Sequence, residues 1–166
     1  MRKNTNKKQT TSSRRRWLTY AAYPGAGLYQ VIRILATMLY TASLLMIPYR
    51  TLNPNLQMRG FELLVFGWGS LPGTLAWLAN PLLILSLIVM KKRQTTAIFA
   101  GASALLLSMD FKSVQTLGWD SGRDIEAGQV VSIDMGAYVW LASIAFTLIA
   151  ATMSSIERRT NVNTST

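Results

Sequence analysis

The chain has 166 residues, half of them hydrophobic, with a mean hydropathy of +0.24. Only 14% are charged, well below the roughly 25% of an ordinary soluble domain. Seventeen Lys and Arg stand against seven acids for a net +10, and Cys and His are both absent. This excludes disulfides, Cys/His metal, haem and iron–sulfur ligation, and every catalytic triad that uses His or Cys.

The charge is segregated along the chain. Residues 1–29 form a basic arm carrying Arg2, Lys3, Lys7, Lys8, Arg14, Arg15 and Arg16 with no acid. It is rich in Ser, Thr, Asn and Lys and has no apolar core, so it is expected to be disordered or membrane-adherent. Lys7, Lys8, Arg14, Arg15 and Arg16 would draw it to anionic lipid headgroups. A cytoplasmic partner or RNA is the rival for the arm. Across the whole chain the basic residues flank apolar runs rather than sharing a face with aromatic or polar neighbours, which favours membrane topology over nucleic acid. Gly25 and Gly27 predict a turn before the first apolar run. That run starts too late for a secretory signal and has no small-x-small cleavage site, so a retained helix is expected.

Four runs approach the roughly 20 apolar residues of a membrane-spanning helix. They are Val31–Pro48, Thr74–Met90, Thr95–Met109 and Gly136–Met153. Arg33 stands near the start of the first, where a long side chain snorkels to the interface. Tyr138 and Trp140 open the fourth as an interface belt. Between the first two runs, Gly60–Trp68 is too short to span and is followed by Gly69, Pro72 and Gly73. It is expected to be an interfacial or re-entrant helix, the rival being one long kinked helix from Phe61 to Met90. The fold class is therefore all-α, a polytopic membrane protein with four transmembrane helices and one short interfacial or re-entrant helix. The membrane domain covers residues 30–156, with an external loop over 111–135 and a short cytoplasmic tail over 157–166.

With the N-terminus inside, thirteen of the seventeen basic residues face the cytoplasm and the outside is slightly acidic. This is the distribution the positive-inside rule requires, and it puts both termini in the cytoplasm.

Few constellations suggest chemistry. Asn80-Pro81 falls inside the second run, where proline would free a carbonyl near Trp77 and kink the helix. Asn80 could then line a ligand or ion site, or act as interhelical glue. Glu62 is a carboxylate within an apolar stretch. It could accept a proton or cation, or pair with Arg59 at helical spacing. Asp110 marks a membrane boundary. With Asp120, Asp124, Glu126 and Asp134 it makes an acidic external side, whose spacing is not that of a calcium loop. The segment GQVVSID adds a short strand or leads into the last helix. Ala97, Gly101 and Ala104 on the third run and Ser143, Thr147 and Ala151 on the fourth make small-residue faces. These allow close helix packing, within the bundle or against a second chain. No cofactor and no metal site is implied.

Arg59, Gly60 and Glu62, then Gly67-Trp68, then Ala76-Trp77, Ala79, Asn80 and Pro81 form an R-G-x-E, G-W, A-W-x-A-N-P pattern. It resembles that of small uncharacterised bacterial inner-membrane proteins, as does Ala137–Ser143 (AYVWLAS). The resemblance implies location and topology and carries no activity. The expected function is a non-catalytic accessory, assembly, regulatory or immunity-type subunit of an envelope complex. Its partners would be membrane lipid and either another membrane protein or a second copy of itself. The alternative is a small oligomeric transporter or channel with Glu62 and Asn80 near its pathway.

Overall fold

The computed structural model describes residues 24–67, 74–114 and 129–163. Most of these residues are helical. The helices are α1 (Pro24–Leu45), α2 (Gly60–Phe66), α3 (Ala79–Val89), α4 (Gln94–Ser108) and α5 (Met135–Asn163). Short 3-10 segments cover Pro54–Leu56, Ala76–Leu78 and Met109–Ser113. Two strands, β1 (Tyr49–Thr51) and β2 (Val130–Ile133), pair antiparallel, with Tyr49 opposite Ile133 and Arg50 opposite Ser132. The fold is thus mostly helical, with one small ribbon: β2 falls within GQVVSID, where a short strand is one of two readings, and β1 is not expected. The alternation of its residues is too brief to separate a strand from a helix lead-in.

Among the described residues two helices are long and apolar enough to cross a membrane, through Gly27–Leu45 (19 residues) and Met135–Glu157 (23 residues). The sequence reading expected four such spans. The second and third apolar runs fold as shorter helices, α3 with 11 residues and α4 with 15. The reason lies in the Asn-Pro pair. Proline cannot donate an amide hydrogen, so it suits the first turn of a helix, where that donor has no partner anyway. The α-helix accordingly starts at Ala79, and the preceding turn is 3-10. The Ala79 N–H turns back to the Ala76 and Trp77 carbonyls, so Pro81 opens a helix instead of kinking one.

Other boundaries move as well. α1 starts at Pro24, so the stretch with Gly25 and Gly27 is helical and the last residues of the expected arm belong to the bundle. α5 continues to Asn163, through most of the expected tail. The short helix α2 ends at Phe66, and Thr74 lies in no helix or strand. The arm residues Lys7, Lys8, Arg14, Arg15 and Arg16, the turn residues Trp68, Gly69, Pro72 and Gly73, and the acids Asp120, Asp124 and Glu126 lie outside the described residues.

α1 packs along α5, α5 along α4, and α4 along α3. The interior of this row is small. Ala36, Ala79, Ala97, Ala100, Ala104, Ala150 and Ala151 are buried, as are Ser43, Ser86, Ser143 and Thr147. All six small residues singled out on the third and fourth runs lie inside the bundle. At Gly101 a Cβ would stand 3.4 Å from the Ser86 Oγ and 3.5 Å from the Leu148 Cα, ordinary contact that a methyl fills and a larger side chain would exceed. Leu83, Met90 and Ile144 are also inside, but many large apolar side chains point the other way. Met38 is 65% exposed, Ile88 and Phe99 70%, Leu106 74% and Ile149 46%.

Gly101→Ala should leave the unfolding midpoint in detergent nearly unchanged, since its methyl makes ordinary contact. Gly101→Leu should lower stability by about 1–3 kcal/mol, the usual cost of overpacking. Thermal unfolding of the two variants side by side checks this.

Candidate functional site

The polar groups within the apolar runs converge at Asn80. Its Oδ1 accepts a hydrogen bond from Trp140 Nε1 of α5 at 2.9 Å and a longer one from Tyr40 Oη of α1 at 3.4 Å. One amide oxygen in the first turn of α3 therefore ties three helices. Tyr40 and Asn80 are buried, and Tyr40 packs with Ala79, Leu83, Ala104 and Ile144 in one apolar cluster. The arrangement follows from solvation. A polar atom away from water must find a partner inside the protein, and the aromatic O–H and N–H serve as those partners. The buried hydroxyls find theirs locally: Ser43 donates to Tyr40 O, Ser143 to Trp140 O and Thr147 to Ser143 O. Ser86 instead donates across to Ala97 O at 2.8 Å and locks α3 to α4.

A cavity of about 80 Å³ lies beside this junction. Leu44, Tyr49, Leu63, Trp77, Asn80 and Trp140 are among its lining residues. Its floor is the crossing of α2 over the end of α1. Gly60 makes that crossing possible, because any Cβ there would strike the Ser43 carbonyl oxygen. The Gly60 N–H donates to Met46 O at 2.9 Å. From the other side Trp77 Nε1 donates to Leu64 O at 3.1 Å, holding α2 to the start of α3.

Glu62 does not line the cavity. Its Oε2 accepts from the Arg59 backbone N–H at 2.6 Å and closes the first turn of α2. The Arg59–Glu62 pair expected at helical spacing is thus a link from side chain to backbone. A carboxylate at a helix N-terminus gains from the unpaired amides there, which a flexible guanidinium does not match. Glu62 and Asn80 therefore take part in separate structural bonds. Pro81 is exposed at the start of α3.

Asp110 stands where α4 ends. Its Oδ2 accepts from Thr74 Oγ1 and from the Leu75 N–H, each at 2.8 Å, and so clips the far end of α4 to the entry of α3. Hydrogen bonds from Ser113, the Leu75 N–H and Thr74 hold its carboxyl below the ordinary carboxylate range. Beside it, buried Tyr49 donates to Phe111 O at 3.0 Å. Burial, with the negative charge of Asp110 behind it, pushes the Tyr49 phenol up to about 12. Asp134 completes this end. It pairs with Arg50 Nε at 2.8 Å, and its other oxygen accepts from the Met135 N–H to cap α5. The Arg50 hydrogen bond leads in holding its carboxyl down, followed by the Met135 N–H. Among the described residues no group of three or more acids is placed to hold a metal ion.

Sequence reasoning singled out Asn80, Glu62, Arg59 and Asp110 and paired Glu62 with Arg59, but it did not find the partners of Asn80 or Asp110. Tyr40 and Ser86 carried a usable signal, since each is a polar residue within an apolar run and needs an internal partner. Arg50, Tyr49 and Gln94 carried none.

Replacing Asn80 with Leu should destabilise the bundle by about 1–3 kcal/mol, because the buried Tyr40 hydroxyl and the half-buried Trp140 N–H lose their acceptor. Tyr40→Phe should lose about 0.6 kcal/mol in the wild-type chain, an ordinary figure for an interhelical bond in a membrane, and nothing more once Asn80 is Leu. Unfolding of the two single variants and the double variant in detergent measures the coupling. The end with Tyr49 and Asp134 has its own pH signature. A raised phenol pKa adds stability that is complete below pH 10.0 and lost as the pH climbs towards about 12. Lowered carboxyl pKa values add stability that is present above the ordinary carboxylate range and lost as the pH falls below it. A midpoint scan should show both flanks, with Tyr49→Phe flattening the alkaline one and Asp134→Asn reducing the acid one.

Compared with family models, curated proteins and solved structures, the chain matches none.

Proposed function

We propose that this chain is a non-catalytic subunit embedded in the bacterial inner membrane. It would cross four times with both termini in the cytoplasm and serve a larger envelope assembly in an accessory, assembly, regulatory or immunity-type role. The observation that carries the membrane placement is the inverted distribution of side-chain size. Ala, Ser, Thr and Gly fill most of the interior, with Leu83, Met90 and Ile144 among the few large apolar residues inside, and many Leu, Ile, Met and Phe side chains face outward on α1, α3, α4 and α5. In water such a surface would drive association. In lipid it needs no cover, and small interior residues let the backbones approach.

The hairpin of α3 and α4 supports four crossings although its helices are short. At one end Gln94 Nε2 donates to Ser154 O at 2.7 Å. At the other, Phe111 packs with Ala137 and meets the Tyr138 ring at 6.1 Å. The hairpin thus runs beside α5 from Ala137 to Ser154, a rise of about 26 Å at 1.5 Å per residue. Short helices of this kind are accommodated by local thinning of the bilayer.

The subunit role is supported by what the polar groups already do. Asn80 joins helices and Glu62 closes a turn, whereas a transport pathway needs polar groups turned to a passage. The transporter alternative therefore has less support.

Reporter fusions should give a cytoplasmic signal at the Lys91–Arg93 turn and a periplasmic signal within residues 111–135; the reverse pattern sinks the topology. Purification in mild detergent with mass spectrometry should recover a different membrane protein in fixed ratio. Elution as a monodisperse homo-oligomer, together with a solute flux that Glu62→Gln or Asn80→Ala abolishes, would establish the transporter instead.

A further inference from the structure

The fold sorts the charged groups by end. At one end stand Arg33, Lys91, Lys92, Arg93 and Arg159, with Glu157 the sole acid there among the described residues. At the other, Arg50, Arg59 and Lys112 are matched by Glu62, Asp110 and Asp134. Two observations bring the basic group together. The Gln94 amide reaches Ser154 Oγ at 3.2 Å as well as its carbonyl, which seats the turn before α4 against the last turns of α5. Ile32, next to Arg33, packs on the cluster of Met90, Ala97, Ala150 and Ala151 directly beneath that turn. Lys92, Arg93 and Arg159 are exposed.

The surroundings of these charges choose the ligand. Within about two helical turns of them the surface becomes apolar, with Val31 60%, Ile88 70%, Phe99 70% and Ile156 57% exposed. A free anion would use only the charges. Apart from Phe99, a nucleic acid would meet aliphatic side chains where it needs stacking or polar contacts. A molecule with an anionic phosphodiester and hydrocarbon tails matches both parts, and basic groups near a membrane surface attract such lipids.

The geometry points to a contact site for anionic phospholipid at this end. The headgroup phosphate sits against Lys92, Arg93 and Arg159, and the acyl chains run along the apolar rim beside them. The site belongs to the folded bundle, apart from the basic arm, and it rests on the membrane reading above.

The test uses the full chain in a neutral detergent, with phosphatidylglycerol, phosphatidylcholine, inorganic phosphate or a short RNA added separately. Phosphatidylglycerol should raise the unfolding midpoint by a few degrees and the other three should not. The triple variant Lys92→Gln, Arg93→Gln, Arg159→Gln should lose at least half of that shift. Neutralising Lys7, Lys8, Arg14, Arg15 and Arg16 together should leave most of it. A full shift in the triple variant, its loss in the arm variant, or an equal shift with phosphate or RNA each overturns the site. Native mass spectrometry of the wild-type protein from an equimolar mixture of the two lipids gives a readout independent of whether the variants fold; no preference for phosphatidylglycerol counts against the site. Insertion into pure phosphatidylcholine vesicles that resists alkaline extraction separates the two ideas. Failure to insert defeats the membrane reading, and insertion without lipid preference defeats only this site.

Discussion

Close approach of helices through small side chains is the constraint on which the structure depends. Gly101, Ala97 and Ala104 on α4 and Ser143, Thr147 and Ala151 on α5 are all buried where the helices meet. Only at that separation can Ser86 reach across to Ala97 O and Gln94 to Ser154 O. Dispersion contacts grow with such proximity, and each is individually small. A bulkier residue on these faces would separate the backbones and break the polar links together with the packing. The same choice explains the outer surface, because large apolar residues kept out of the interior must face the surroundings.

Polar groups in this interior serve the packing. Asn80 presents one oxygen to two aromatic donors from different helices, which fixes the rotation of α1 and α5 relative to α3. The buried serines and threonines mostly bond to carbonyls of their own helix, so they add no demand for partners. Every buried side-chain oxygen and nitrogen among the described residues has a partner. That is the condition an interior without water imposes, since an orphaned group in hydrocarbon costs several kcal/mol.

The two ends are built differently. The end with Tyr49 and Asp134 is a latch. Strand β1 follows α1, strand β2 precedes α5, and Asp134 both caps α5 and pairs with Arg50. Tyr49 fixes the latch to the end of α4 through Phe111 O. Among the described residues the charges here balance, three basic against three acidic. The opposite end carries more basic than acidic groups, and its links include the Gln94–Ser154 bonds and a small apolar cluster. Orientation in a membrane and attraction to anionic headgroups would both draw on this asymmetry.

The sequence by itself determined the helical class, the positions of the apolar runs and the separation of charge. These depend on composition over windows of residues, and local hydrophobicity and charge report them directly. The small-residue faces and the odd polar residues Asn80, Glu62 and Asp110 were legible for the same reason, as departures from their surroundings. Helix length was not, because whether Pro81 kinks a helix or starts one depends on the 3-10 turn ahead of it and on what that turn packs against. Nor were the partners. Tyr40 and Trp140 stand 40 and 60 residues from Asn80, and Arg50 stands 84 residues from Asp134. Contacts at such separations are set by which helix faces meet, and one residue of register in β1 would turn Tyr49 away from Phe111. Only the tertiary structure decided that these polar groups act as fasteners within the bundle.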